Sequence, residues 1–138
     1  MEEFRKLGLS ENTLPALQRK GHTVPTEIQR KAIPILMEGK RDIIAQSQTG
    51  TGKTASFALP IIEKIKENAG HLQAIILTPT RELALQVAKE FESLMGKKRL
   101  RVLAVYGGAS VSEQRDRLRQ GIDIVVGTPG RVIDQIQR

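Results

Sequence analysis

The sequence predicts an α/β fold with a mostly parallel, doubly wound sheet between two layers of helices. Two observations carry this prediction: short apolar runs alternate with longer segments of helical periodicity, and Gly or Pro ends most of the runs. The runs that we predict as strands are a first run ending at Ala45 and residues 74–77, 100–105 and 122–126. Strands that alternate with helices favour a parallel sheet with right-handed crossovers.

The first forty residues predict two helices ahead of the first strand. Residues 4–20 are interpreted as a helix entry and a helix, with Ser10 as its N-cap. A second helix is predicted from Thr26, because Thr26 and Gln29 have the spacing of a capping box, and Gly39 is its expected stop.

Residues 42–54 predict a strand, a phosphate-binding loop and the start of a helix. The loop begins at Ser47 and closes on Gly52, Lys53 and Thr54, the end of a P-loop motif, and a helical pattern follows. Glycine permits the backbone conformations that point successive N–H groups at an anion. Lysine can then reach β- and γ-phosphates, and the Thr54 hydroxyl can bind Mg²⁺.

Three turns further along the chain are predicted to share one edge of the sheet. Helical patterns run from Arg81 to about Leu94, over 112–120 and from Arg131 onward, and each follows a predicted strand. The intervening turns are 78–81, 106–108 and 128–131. Because ligands bind at the carboxyl ends of parallel strands, a row of turns there suits a run of phosphates.

Composition limits the classes of function. The 138 residues have a formal charge of +7, which favours a polyanionic partner, and only 3% are aromatic, which disfavours base stacking on Phe or Tyr. The sequence contains no Cys, so disulfides and thiolate metal sites are excluded. No apolar run approaches the roughly 20 residues of a membrane span. A cytoplasmic protein with no membrane contact is therefore expected.

The ordered set of motifs resembles the first RecA-like domain of a DEAD-box RNA helicase. Residues 21–29, with Phe4 upstream, are similar to the Q motif, and residues 45–54 are similar to motif I, in which a small residue is accepted at Ser47. Residues 79–86 resemble motif Ia, Gly107-Gly108 the GG motif and residues 128–131 motif Ib. The resemblance implies a P-loop NTPase fold of three αβα layers, truncated, with residues 1–38 as a Q-motif region and 39–138 as the P-loop αβ core.

The resemblance also implies a role for each matching position. Gln29 would hydrogen-bond adenine, Phe4 would pack on the base, and Thr26 would brace the phosphate loop. The residues that would hold ATP and Mg²⁺ are Ser47, Gln48, Thr49, Gly50, Thr51, Gly52, Lys53 and Thr54, with Lys53 and Thr54 as the catalytic pair and Thr54 as the metal ligand. The residues that would contact RNA sugar and phosphate without reading sequence are Pro79, Thr80, Arg81, Gly107, Gly108, Thr128, Gly130 and Arg131.

The sequence contains no Asp-Glu-Ala-Asp segment, so the carboxylates that would hold Mg²⁺ and orient water are not found. We therefore expect the chain alone to bind adenine nucleotide at best weakly, without appreciable ATP hydrolysis or RNA unwinding. Strands that the resemblance implies as neighbours are also missing, and open strand edges favour self-association.

Two other interpretations remain open. One is an engineered or ancestral P-loop module that binds phosphate or nucleic acid without catalysis. The other is a P-loop kinase for a small molecule, which leaves the turns at Pro79, Gly107 and Pro129 unexplained.

Overall fold

The computed structural model describes residues 1–46 and 52–137, and these fold as two compact units. The first unit comprises Met1–Lys64 and Ser93–Lys98, and the second comprises Ile65–Glu92 and Arg99–Arg138. Each unit carries one group of the residues predicted to bind a ligand.

The first unit is helical in its described part. Its helices are α1 (Glu2–Arg5), α2 (Leu14–Arg19), α3 (Glu27–Glu38) and α4 (Lys53–Lys64). Helix α3 packs against α4, and the fully buried side chains of this unit include Phe4, Leu17, Ile33, Leu59 and Ile62. The predicted capping box and glycine stop of α3 are confirmed: Thr26 and Gln29 bond reciprocally, and Gly39 ends the helix with a φ of 74°.

The predicted N-cap at Ser10 is wrong. Helix α2 begins only at Leu14, after a turn, and its N-cap Thr13 makes no side-chain capping bond. The hydroxyl of Ser10 donates instead to Oε1 of Glu63 at 3.0 Å, and the hydroxyl of Thr13 donates to the same oxygen at 2.7 Å. A contact between residues distant in the sequence therefore overrides the local capping preference.

The predicted strand ending at Ala45 is also wrong. Residues 42–46 have no regular secondary structure, and Ile44 is fully exposed. A strand exists only when a neighbour pairs with it, and no described residue forms a ladder with this segment. An apolar sequence is therefore not sufficient by itself to form a strand at residues 42–46.

The second unit is built on a small, all-parallel sheet, as predicted. Its elements are β1 (Ala74–Leu77), α5 (Arg81–Leu94), β2 (Val102–Val105), α6 (Val111–Arg119), β3 (Ile124–Gly127) and α7 (Pro129–Gln137). The last two residues of α5 belong to the first unit. The strand order is β1-β3-β2, and Leu77 and Val105 both align with Gly127. All three strands therefore end at one edge, as the sequence predicts.

One side of the sheet holds an apolar cluster of Leu103, Val105, Ile122, Val125 and Val132, and α6 packs against β2. The unbroken apolar run 74–77 predicts a strand buried on both faces, and this prediction is wrong: Ile75 is 48% exposed and Leu77 is 58% exposed. Strand β3 is buried throughout because it has a strand on each side, whereas β1 lies at an edge of the described sheet.

Candidate functional site

The nucleotide-binding prediction concerns the first unit. Ser47, Gln48, Thr49, Gly50 and Thr51 lie outside the described residues. The described part of the predicted site consists of Phe4, Thr26, Gln29, Gly52, Lys53 and Thr54.

Gln29 connects the start of α3 to the start of α4. Its Oε1 accepts a hydrogen bond from the backbone N–H of Thr26 at 2.9 Å, and its Nε2 donates to the carbonyl of Gly52 at 3.4 Å. Gly52 has a φ of 85°, and a Cβ built there would overlap Nε2 of Gln29 and lie 3.3 Å from the hydroxyl of Thr26. Glycine at position 52 therefore permits both a left-handed backbone and this close approach.

The amide of Gln29 keeps capacity for a further ligand. A carboxamide has two acceptor lone pairs and two N–H donors, and the bonds to Thr26 and Gly52 use one of each. The remaining acceptor and donor match the N6 amino group and N7 of adenine. Gln29 is only 2% exposed, so α3 and α4 fix its orientation closely, and a base would reach the amide only if the groups around it moved.

Lys53 and Thr54 begin α4. Lys53 is exposed, and it lines a cavity of about 470 Å³, a size typical of ligand pockets. The other lining residues come from α3, α4 and the segment ahead of the loop: Ile28, Ala32, Leu36, Arg41, Asp42, Ile43, Ala45, Ser56 and Phe57. The first turn of α4 also presents N–H groups without intrahelical partners, which favours an anion.

Phe4 and the metal ligand remain predictions. The ring of Phe4 is fully buried in the first unit, so packing on a base would require its side chain to become exposed. Among residues 1–46 and 52–137, no group of three or more His, Cys, Asp or Glu side chains could hold a metal ion. The hydroxyl of Thr54 is a hard oxygen ligand of the kind that Mg²⁺ accepts.

An ion pair lies on the first turn of α3, next to the capping box. The ammonium of Lys31 donates to the carboxylate of Glu27 at 2.8 Å, and this hydrogen bond lowers the pKa of Glu27 below its usual value. Both side chains are exposed, so the pair is a surface feature screened by salt.

The RNA-binding prediction concerns the second unit, where the structure brings the three predicted turns to one edge. Each turn directly follows the carboxyl end of a strand, and the side-by-side order is the turn after β1, the turn after β3 and the turn after β2. The exposed members of the set are Pro79, Thr80, Arg81, Gly107, Gly108 and Gly130, and the half-buried members are Thr128 and Arg131.

Backbone and hydroxyl bonds fix two of these turns. The hydroxyl of Thr80 accepts from the N–H of Leu83 at 3.1 Å and so caps α5. The N–H of Thr128 donates to the carbonyl of Val105 at 3.0 Å, and its own carbonyl accepts from Val132 at the start of α7. Two helix N-termini are thereby held at this edge, and both favour anions.

The third turn is joined to the arginines by contacts that the sequence did not reveal. The guanidinium of Arg81 lies over the ring of Tyr106, 4.8 Å from its centroid. Arg131 donates through one terminal nitrogen to the carbonyl of Ala109 at 3.0 Å and to Oε1 of Gln114 at 2.9 Å. Gln114 also donates to the carbonyl of Tyr106 at 3.3 Å. Both cations are therefore positioned on the turn between β2 and α6.

Sequence reasoning missed Tyr106 and Gln114 in the second unit and Ser56 in the first. A signal for Gln114 was available, since it is a polar residue in phase with Val111 and Leu118 on the inner face of α6. Ser56 donates from its hydroxyl to the carbonyl of Gly52 at 3.0 Å, a bond between i and i−4 that its position on α4 permits.

Within residues 1–46 and 52–137, no helix combines the length and the apolar character that a membrane span requires.

Comparison with known families gives a match to DEAD/DEAH box helicases over residues 26–138. Two similar curated proteins are a probable ATP-dependent RNA helicase of Methanocaldococcus jannaschii and the RNA helicase CrhR of Synechocystis. The first is 53% identical over 98% of this chain and 36% of its own length, and the second is 56% identical over 98% of this chain and 27% of its own length.

Solved structures give the same result. A crystal structure of a DEAD box protein from Methanococcus jannaschii matches with a TM-score of 0.94 and 51% identity, covering 99% of this chain and 37% of the other. A hypothetical ATP-dependent RNA helicase from Sulfolobus tokodaii matches with a TM-score of 0.82 and 36% identity, covering 94% and 37%. The chain thus spans about a third of the length of these proteins.

Proposed function

Since this chain belongs to the DEAD/DEAH box helicase family, we propose that it binds ATP and the sugar-phosphate backbone of RNA as part of an ATP-dependent RNA helicase. The whole protein would hydrolyse ATP to separate short RNA duplexes locally. The relatives are named as ATP-dependent RNA helicases, which supports the use of ATP and RNA. The alternative of a non-catalytic P-loop module is not favoured by these matches.

The observation that carries the nucleotide half of the proposal is the position of Gln29. Its amide lies against Gly52 at the entrance of α4, with one donor and one acceptor unused. A nucleotide whose phosphates lie on the N-terminus of α4 would therefore meet an amide suited to adenine. Lys53 would bind the β- and γ-phosphates, and Thr54 would contribute a ligand to Mg²⁺, which neutralises phosphate charge when bound.

Replacement of Gln29 by alanine tests the adenine site. We expect ATP and GTP to bind the Gln29→Ala variant with about equal affinity. The amide of Gln29 would contact only the base, which is the part in which the two nucleotides differ. Titration of both nucleotides, followed by calorimetry or fluorescence, measures the ratio. The matched control is Gln18→Ala, which removes an exposed glutamine in the same unit.

An unchanged preference in the Gln29→Ala variant, with the fold intact, would show that the phosphate loop binds without reading the base. Since Gln29 also bonds to Thr26 and Gly52, unfolding by urea is measured alongside to confirm that the variant folds.

The observation that carries the RNA half of the proposal is the edge where three strands end together. It presents exposed glycines, two helix N-termini and the guanidinium groups of Arg81 and Arg131. Backbone N–H groups and arginines bind phosphate oxygens without reading bases, so the binding proposed here is independent of sequence.

Replacement of Arg131 by alanine tests this edge. Loss of one phosphate contact should reduce the slope of log affinity against log salt by about 0.7 for single-stranded RNA. The affinity should fall by a similar factor for oligonucleotides of different sequence. Arg117→Ala, an exposed arginine on α6, is the control and should leave the slope unchanged. Equal slopes for Arg131→Ala and the unaltered chain would refute the contact.

A further inference from the structure

The second unit contains a cavity of about 330 Å³ at the opposite edge of the sheet from the three turns, where the strands begin. Its lining comes from the segments that precede β1, β2 and β3 and from the end of α6. The lining residues are Asn68, Gly70, His71, Arg99, Arg101, Arg119, Gln120, Gly121, Ile122 and Asp123. The volume is near the lower end of the ~300 to 1,000 Å³ typical of ligand pockets.

Asp123, one of the lining residues, is the centre of a hydrogen-bond network. One carboxylate oxygen accepts from Nε2 of Gln73 at 3.0 Å, and the other accepts from the N–H of Arg101 at 2.9 Å. Asp123 is 7% exposed. Its carboxylate links the segments that precede β1 and β2 to the start of β3. The one acidic residue of the lining is therefore engaged by donors of the protein itself.

Arg101 also has a structural task. Its guanidinium donates to the carbonyls of Gln120 and Gly121 at 2.9 and 3.2 Å and so covers the carbonyl oxygens that follow α6. Carbonyl groups at a helix C-terminus repel anions. By bonding to these carbonyl oxygens, the guanidinium of Arg101 reduces their repulsion of an anionic ligand. A Cβ at Gly121 would lie 3.1 Å from the same guanidinium, and the φ of 100° likewise favours glycine.

Two other arginines contribute charge to the cavity. Among the described residues, neither Arg99 nor Arg119 has an acidic side chain within ion-pair distance of its guanidinium group. Glu67, outside the lining, accepts a hydrogen bond from the backbone N–H of Arg99 at 2.8 Å. His71 also lines the cavity, and its Nδ1 donates to the carbonyl of Ala69 at 3.1 Å.

We propose that this cavity is a binding site for a terminal phosphate group, held by Arg99 and Arg119. A guanidinium fork matches phosphate oxygens in a bidentate manner, and two such forks together favour a doubly charged phosphomonoester. The concave shape and small volume suit one phosphate with its first substituent. The ligand is either a small phosphorylated molecule or the 5′-phosphate of a nucleic acid, and the site is separate from the predicted nucleotide and RNA contacts.

Titration with inorganic phosphate and then with phenyl phosphate, followed by NMR of the backbone amides, tests the proposal on the intact chain. We expect shifts at Gly70, Gly121 and Ile122 that saturate at millimolar ligand. Arg119→Ala and Arg99→Ala should each weaken the affinity by roughly 3- to 10-fold, since each removes one exposed charge-assisted contact.

The matched control is Arg117→Ala, which removes an arginine from the same last turn of α6 but outside the cavity lining. Urea unfolding of all variants should be unchanged, because the guanidinium groups of Arg99 and Arg119 form no hydrogen bond or ion pair with a described residue. An equal loss of affinity in Arg117→Ala would show general attraction to a basic protein and would overturn the proposal. So would the absence of saturable shifts at the cavity.

A second arm separates the two sources of phosphate. The same RNA oligonucleotide is compared with a 5′-phosphate and with a 5′-hydroxyl, so that contacts to the rest of the strand cancel. A gain from the 5′-phosphate that Arg119→Ala abolishes identifies a nucleic acid end. No gain, together with saturable binding of phenyl phosphate, identifies a small phosphorylated ligand.

Discussion

At the scale of single residues, the carbonyl oxygen of Gly52 joins the two helices of the predicted nucleotide site. It accepts hydrogen bonds from Nε2 of Gln29, from the hydroxyl of Ser56 and from the N–H of Ser56, at 3.4, 3.0 and 3.2 Å. The capping pair Thr26 and Gln29 was predictable from its spacing alone. The contact with Gly52 was not, because it joins residues 23 positions apart in the chain.

Replacement of Gly52 by alanine should destabilise the fold. The positive φ and the overlap of a new methyl group with the amide of Gln29 together predict a loss of roughly 1 to 3 kcal/mol in the free energy of unfolding. Urea denaturation measures the loss. Gly107→Ala is the control, since a Cβ there meets no atom within 4 Å, and it should change stability by less than about 0.5 kcal/mol.

At the scale of secondary structure elements, local signals succeeded where no distant partner was needed. Helix α5 was predicted from Arg81 to about Leu94 and has those bounds, because its apolar residues repeat at helical spacing after Pro79. The strand predicted before Lys53 failed because pairing requires a neighbour, which sequence periodicity does not show. The prediction that β1 is buried on both faces is wrong for a related reason, because the burial of an edge strand depends on which residues cover it.

Helix α6 is expected to position the turn that we propose to bind RNA, and Gln114 is the residue through which it would do so. Gln114→Leu keeps the side-chain volume but removes the acceptor for Arg131 and the donor for the carbonyl of Tyr106. Leaving these groups unpaired should cost about 1 to 3 kcal/mol in stability and weaken RNA binding several-fold. Gln120→Leu, at an exposed position that follows the same helix, should change neither.

The double variant Gln114→Leu with Arg131→Ala separates positioning from simple destabilisation. If Gln114 acts on RNA through Arg131, the double variant should bind RNA no more weakly than Arg131→Ala alone. Additive losses of affinity would show that Gln114 affects binding by another route.

At the scale of the whole molecule, a basic surface and an exposed apolar strand have different consequences. The charge of +7 favours association with polyanions at low salt. Within the described residues, β1 pairs with β3 on one edge and has no strand on the other, and Ile75 and Leu77 are exposed beside that edge. Such an edge favours pairing with another chain.

The cytoplasmic location and the division of the chain at residue 38 stay predictions.

Replacement of Ile75 and Leu77 by threonine should reduce self-association. Threonine keeps a high β-propensity, and both positions are about half exposed, so stability should fall by less than about 1 kcal/mol. Sedimentation velocity over a range of protein concentrations measures the effect. Val24→Thr, at an exposed aliphatic residue outside the sheet, is the control. A concentration-independent monomer in the unaltered chain would remove the basis of this prediction.

The strand order β1-β3-β2 has a consequence for how the protein emerges from the ribosome. Of the three described strands, β1 and β2 are translated first but do not pair with each other, because β3 lies between them. Until Ile124–Gly127 have been translated, 74–77 and 102–105 lack a partner, and the turns after them have no fixed spacing. The described sheet therefore forms only after β3 has been translated, and a translation arrest before residue 124 would leave two aliphatic segments for chaperones to shield.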